Sequence, residues 1–311
     1  QQQQQQQQQQ ALFLDLRSYG YEINACAKRG DREGAEAIMK QMEDAGVTPD
    51  YMAYNSMINA CARTGDKKGA ELWIKKMRSR GVRPYVVTFN SVINAHARAG
   101  DGLGAEKWLK AMQDEGISPD VLSLNSVINA FAKRGDIKGA EKWLMKMGSF
   151  GLSADLASYG TVMTACARAG HAKRCEDWMQ RVLDLETTTG LRANRVMYIA
   201  LMTANAKRGN PDRVLYWKEE MDNRASSSSS SSTSSSSWSE EELQTYAIII
   251  SAHAKQRNRT GAEYWFKDML NNRKLKPDTT TFNALIDACG RAGDTDQQEK
   301  WMRVMLESGV Q

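Results

Sequence analysis

The feature that most constrains this chain is an internal repeat with a period of 35 residues. The segment YMAYNSMINACARTGDKKGAELWIKKMRSRGVRPY at 51–85 is followed without a gap by VVTFNSVINAHARAGDGLGAEKWLKAMQDEGISPD at 86–120. VLSLNSVINAFAKRGDIKGAEKWLMKMGSFGLSAD then occupies 121–155. Extending this register gives further units at 16–50, 156–194, 195–242, 243–278 and 279–311, eight in all. A fixed period of this size means that one small structural unit is copied and stacked. The fifth unit carries four extra residues around Thr187–Thr189, and the sixth carries thirteen, essentially a serine tract. Both insertions follow the second half of a unit, where a loop tolerates them and a stacked helix would not.

Each unit reads as two helices. In 51–85, Tyr54, Met57, Ile58 and Cys61 recur at spacings of three and four and form an apolar stripe. Position ten is alanine in all eight units (Ala25, Ala60, Ala95, Ala130, Ala165, Ala204, Ala252, Ala288), which allows close helix approach. Gly65 and its counterparts Gly30, Gly100, Gly135, Gly170, Gly209 and Gly293 stop the first helix, and repeat seven departs with Arg257. Asp66 then reads as the N-cap of the second helix, matched by Asp31, Asp101, Asp136, Asn210, Asn258 and Asp294. His171 stands alone at that place in repeat five and reads as a surface or capping residue.

The second helix carries a central tryptophan in seven units: Trp73, Trp108, Trp143, Trp178, Trp217, Trp265 and Trp301. Because Met77, Met112 and Met147 follow four residues later on the same face, this column is read as packing and not as a base-stacking platform. One helix pair cannot bury its own apolar face, so the pairs must stack into a curved, all-α solenoid.

Composition supports this reading and excludes several others. The chain has 311 residues, 41% of them hydrophobic, and a formal charge of +5, which permits a polyanionic partner without demanding one. Five cysteines, an odd number, argue against a fully paired disulfide framework. Cys26, Cys61, Cys166 and Cys289 share position eleven with His96 and His253, a column along the stack and not a tetrahedral cluster, so no metal site is expected. No phosphate-loop, dinucleotide or zinc-deaminase motif is present, so no catalytic centre, cofactor or small-molecule substrate is expected. Apolar runs such as Tyr246–Ile250 are too short to span a bilayer. The chain opens at Gln1 with neither an initiator methionine nor a recognisable targeting peptide, and is read as a fragment or processed form.

Four segments follow: a poly-Gln lead-in at 1–15; repeats one to six at 16–225 (16–50, 51–85, 86–120, 121–155, 156–194, 195–225); a Ser-rich flexible insertion at 226–240; and repeats seven and eight at 241–311. The stack is expected to continue across the insertion, the alternative being two semi-independent solenoids.

Function concentrates on the first helix, where positions five, nine and thirteen share a face. Position five is Asn55, Asn90, Asn125 and Asn283, with Gly20, Gly160, Ile199 and Ala247 elsewhere. Position nine is small and polar throughout: Asn24, Asn59, Asn94, Asn129, Thr164, Thr203, Ser251 and Asp287. Position thirteen is basic in every unit: Lys28, Arg63, Arg98, Lys133, Arg168, Lys207, Lys255 and Arg291. A cation in the last turn complements a helix dipole, and a line of them also suits a phosphate backbone.

The motif VVTFNSVINAHARAGD…GAEKWLKAM…GISPD resembles the pentatricopeptide repeat over residues 16–311. Tetratricopeptide repeats are similar helix pairs, but the unbroken 35-residue period counts against them. The resemblance implies a right-handed superhelical α-solenoid of tandem helix-turn-helix units. It also implies single-stranded RNA binding along the concave face, one base per repeat, in organellar RNA processing, stability or translation. By the same resemblance the fifth and last residues of each unit contact the base, and the basic column lies near phosphates. Asn90 with Asp120 and Asn125 with Asp155 look like uracil-preferring pairs, Asn55 meets the unusual Tyr85, and Asn194, Asp278 and Asn283 are further reading residues. Some relatives carry C-terminal deaminase or nuclease-like domains, and none is visible here. The expected partners are single-stranded RNA and other organellar ribonucleoprotein subunits, with no membrane, in a mitochondrion or chloroplast. The competing expectation is a protein-binding or structural scaffold subunit of an organellar ribonucleoprotein.

Overall fold

The computed structural model describes residues 2–226 and 237–310, with side chains for 16–224 and 240–310. The described residues form helices joined by short loops, without a strand, and are arranged as successive helix pairs. The first helices are α1 (Gln2–Arg29), α3 (Tyr51–Thr64), α5 (Val86–Arg98), α7 (Val121–Arg134), α9 (Leu156–Ala169), α11 (Arg195–Lys207), α13 (Ser237–Lys255) and α15 (Thr279–Ala292). The second helices are α2 (Arg32–Asp44), α4 (Lys67–Ser79), α6 (Gly102–Asp114), α8 (Ile137–Lys146), α10 (Ala172–Thr189), α12 (Pro211–Ser226), α14 (Arg259–Asn271) and α16 (Thr295–Glu307). Among the described residues no helix is long and apolar enough to cross a membrane. The middle of the Ser-rich insertion, 227–236, lies outside the described residues.

The chain divides into two compact units, 1–162 and 163–311, with the boundary inside α9. In the first unit α1, α3, α5 and α7 pack each on the next, and each second helix packs on its own first helix. Ala60, Ala95 and Ala130, all at 0% exposure, are the small residues that let these first helices approach. In the second unit α11 packs on α13 and α13 on α15, so the helix stack runs on across the Ser-rich insertion. There Tyr246, Ile250, Phe266, Phe282 and Leu285 form the core of the last two pairs.

Local chemistry explains the punctuation. Asp66 caps α4 by accepting from the Gly69 N–H at 2.9 Å, and Asp31, Asp101, Asp136, Asn258 and Asp294 cap their helices in the same way. His171 holds the equivalent position before α10 but makes no side-chain cap. All seven glycines that close first helices adopt left-handed backbone, and Arg257 does so in repeat seven with φ 59°. The tryptophans of α4, α6, α8, α10 and α12 are buried, as the packing reading requires. Trp108 Nε1 also donates to Glu71 Oε1 of the preceding repeat at 3.1 Å, and Lys76 Nζ sits 4.1 Å from the Trp73 ring centre.

Two features differ from the sequence expectation. Helix α13 begins at Ser237, ahead of the repeat start expected near 241–243, because the Ser-Glu-Glu-Glu lead-in is good N-terminal helix sequence and extends the helix backwards. Helix α1 likewise runs back to Gln2 through the glutamine tract, glutamine being a good helix former.

Candidate nucleic-acid interface

The last residue of each unit is also the residue that starts the next first helix. Asp120 is the N-cap of α7: its carboxylate accepts from the Ser123 N–H at 2.8 Å, while the Asp120 N–H donates to Ser123 Oγ at 3.2 Å. Ser123 Oγ in turn donates to Asn90 Oδ1 at 2.5 Å, and Asn90 Nδ2 donates to Asp120 Oδ1 and Oδ2 at 3.1 and 3.2 Å. The helix cap and the candidate reading pair are therefore one hydrogen-bonded ring, spanning two repeats.

The ring is built a second time in the next repeat. Ser158 N–H donates to Asp155 at 2.8 Å, Ser158 Oγ donates to Asn125 Oδ1 at 2.5 Å, and Asn125 Nδ2 donates to Asp155 at 3.1 Å. Partial burial alone would raise both Asp120 and Asp155. The serine N–H and the asparagine amide, with the serine hydroxyl shared between the asparagine oxygen and the carboxylate 2.8 and 2.7 Å away, outweigh it and hold both carboxyls below the usual aspartate range. Both carboxylates are therefore charged at neutral pH. Each asparagine keeps one amide N–H and each aspartate spare lone pairs.

The remaining candidates are placed differently. Asn55 accepts from Thr88 Oγ1 at 2.7 Å, and Thr88 Oγ1 also accepts from the Tyr85 N–H at 3.1 Å, so half of the ring is kept while the carboxylate is replaced by a phenol. Asn194 caps α11 through the Met197 N–H at 3.2 Å, and Asp278 caps α15 through the Thr281 N–H at 2.9 Å. Ala247, the fifth residue of repeat seven, offers no amide to Asp278. Asn283 is exposed.

All eight residues of the basic column are exposed. Most of those with a described bond have a definite task between repeats. Arg63 Nη1 donates to the Lys28 carbonyl at 3.0 Å, Arg98 Nη1 to the Arg63 carbonyl at 2.9 Å, and Lys133 Nζ to the Arg98 carbonyl. In the second unit Lys207 Nζ donates to the Arg168 carbonyl at 2.5 Å, and Arg291 instead turns to Asp287 at 2.7 Å. Each staple satisfies a carbonyl left unpaired at the end of the preceding first helix. An arginine carries five N–H donors and a lysine three, so the carbonyl bond leaves donors over. Positions five and thirteen are eight residues apart, ~12 Å along the helix. The acceptor-rich candidate pairs and the cations thus occupy opposite ends of one face.

One feature of this face escapes a search for polar residues. Met52, Val87, Leu122 and Val196, the second residues of their repeats, are 56%, 62%, 61% and 58% exposed. They lie three residues before position five, on the same side of the helix. Their sequence signal is an apolar residue out of phase with the buried stripe.

Elsewhere the five cysteines are buried thiols outside any disulfide, and the described residues contain no group of three or more His, Cys, Asp or Glu able to hold a metal ion.

Comparison with known proteins agrees with the helix-pair architecture. The family profile described as the pentacotripeptide-repeat region of PRORP matches residues 1–197. A pentatricopeptide repeat domain profile matches 240–292, and the single-repeat profile matches 196–224 and 280–310. No curated protein matches the chain. Among solved structures, the pentatricopeptide repeat protein PPR10 in complex with an 18-nt psaJ RNA element superposes with a TM-score of 0.76 at 20% identity, over 94% of this chain and 40% of that one. A form of PPR10 with three cysteines changed to serine, bound to the same RNA element, gives the same values. The structure of PPR10 from maize superposes with a TM-score of 0.57 at 19% identity, over 93% of this chain and 43% of that one. This chain thus spans about two fifths of the length of these relatives, and the likeness is one of fold. With the family profile covering 1–197 and the helix pairs repeating throughout the described residues, the chain belongs to the pentatricopeptide-repeat family.

Proposed function

We propose that the chain binds single-stranded RNA along the face formed by its first helices, and that repeats three and four each take a uracil. The observation that carries this reading is the ring of Asn90, Asp120 and Ser123, repeated by Asn125, Asp155 and Ser158. Uracil presents an N3–H donor flanked by carbonyl acceptors. A carboxylate accepts the N–H, and the spare amide N–H of the asparagine donates to a carbonyl oxygen. Cytosine has no N3–H, and its N4 amino group sits where uracil has an acceptor. The serine bonds fix the amide orientation before a base arrives, which lowers the ordering cost of binding. The exposed Val87 and Leu122 offer apolar contacts to the flat faces of the bases. Donors left on the basic column take the phosphates.

The fold likeness to PPR10, solved with an 18-nt psaJ RNA element, supports an RNA partner, and family membership supports an organellar place of action. A scaffold role in a ribonucleoprotein is the second reading, and the observation that favours it is the basic column's engagement of backbone carbonyls.

The test is binding to single-stranded RNAs about ten nucleotides long, with and without a central UU, across a salt titration. We expect a preference for UU that disappears in the Asn90→Ala, Asn125→Ala double variant. Salt-dependent binding blind to sequence would support the scaffold reading with electrostatic RNA contact, and no binding at low salt would support a protein partner.

A further inference from the structure

Repeat two departs from its neighbours at the last position, where Tyr85 stands in place of the aspartate of repeats three and four. The phenol is 57% exposed and meets Tyr51, itself 49% exposed, edge to face, with ring centres 6.2 Å apart and planes at 79°. An edge-to-face contact engages one face of one of the two rings, so Tyr51 props Tyr85 and leaves it at least one face clear of that contact. Tyr85 also lines a cleft of about 550 Å³, with Pro84, Val87 and Ile117 as apolar walls and Arg83 and Glu115 beside them. An exposed, braced aromatic ring beside an apolar cleft is not what a helix cap needs.

The amide next to it is also in a different state. Asn55 Oδ1 accepts from Thr88 Oγ1 at 2.7 Å, as Asn90 and Asn125 accept from their serines. Its Nδ2, however, has no acceptor among the described residues, because the carboxylate that takes this donor in the neighbouring rings is missing. Repeat two therefore offers two amide N–H donors and an aromatic face, and no carboxylate to receive an imide N–H. That combination disfavours uracil. It suits a base with a large π-surface and ring-edge acceptors.

We infer that repeat two holds a purine, stacked on Tyr85 and accepting a hydrogen bond from Asn55 Nδ2, next to the two uracils. The inference rests on the RNA reading proposed above. Stacking on a protein aromatic ring tolerates every base and gains with its area, so a preference of about threefold for purine over pyrimidine is expected at this one position.

The test replaces each base of a UU-containing ten-nucleotide RNA in turn by the other three and measures binding to the full chain and to three Tyr85 variants. In the parent chain one position adjoining the UU should favour purine. Tyr85→Phe should keep that preference, Tyr85→Ala should remove most of it, and Tyr85→Asp should convert the position to uracil. A 2-aminopurine placed there should be quenched on binding the parent chain and brighter in the Tyr85→Asp complex. Thermal melts confirm that each variant is folded. If the UU preference persists but no position adjoining it favours purine, or Tyr85→Ala leaves the purine preference unchanged, this inference is overturned and the base-reading proposal stands. If the parent chain shows no preference for UU or for purine at any position, both fall.

Discussion

Arg257 holds a left-handed backbone conformation, φ 59°, at the place where seven other repeats use glycine. A side chain with a Cβ is disfavoured there by roughly 1–2 kcal/mol, whereas glycine adopts it freely but loses more chain entropy on folding. Arg257 is exposed, so its replacement removes little else. Arg257→Gly is expected to raise stability by about 0.5–1 kcal/mol, read as a higher urea midpoint with an unchanged slope. The glycine and aspartate columns that end one helix and start the next were legible because each needs one residue type for one local reason. His171 was not, because a histidine before a helix is compatible with capping and with none, and only its geometry decides. The thiol of Cys61, pushed up to about 11 by burial, shows the same limit: position eleven was legible as a column, but its full burial follows from the packing around it.

Between elements, the N-cap aspartates serve twice. Asp101 caps α6 and also pairs with Lys67 of the preceding repeat at 2.5 Å, and Asp66 and Asp294 pair in the same way with Arg32 and Arg259. The Lys67 bond, then the Gly104 N–H and His96, hold the Asp101 carboxyl far below the usual range against the opposing effect of burial. A carboxyl depressed in the folded state contributes stability above its unfolded value near 4 and loses it as pH falls through its folded value. Lys67 is 40% exposed, so screening limits the pair to about 0.5–1 kcal/mol at neutral pH. Lys67→Met should therefore lower the melting temperature at pH 7, and its melting temperature should fall less steeply than the parent's between pH 4 and pH 2. Parallel curves for the two proteins would show that the pair contributes nothing. The helices were legible from their spacing of three and four, but this cross-repeat pairing was not: position seventeen is basic in several repeats without lying on the face the sequence pointed to.

At the scale of the whole molecule, the repeat period, the all-helical class and the family were readable from the sequence because the 35-residue register recurs with so few breaks. The candidate reading pairs were readable only by resemblance, and their tie to the helix caps through Ser123 and Ser158 emerged from the structure. The basic column was legible as charge and not as architecture, because a staple to a carbonyl one repeat away leaves no mark on residue choice beyond a long cationic side chain. In a stack whose stability is a sum over neighbouring repeats, a staple at four of the junctions is a recurring interface contribution, and the same side chain keeps donors for a further acceptor. The two roles separate experimentally in Arg98→Met. Loss of the bond to the Arg63 carbonyl should cost about 0.5–1.5 kcal/mol of stability. If the same guanidinium also neutralises a phosphate, the slope of log affinity against log salt should become shallower by about 0.7 for a single-stranded RNA. A lower melting temperature with an unchanged salt slope would mean that the column holds the repeats together and leaves the RNA to the asparagine–aspartate pairs. A change in both would mean that the cations binding one repeat to the next also line the path of the RNA backbone.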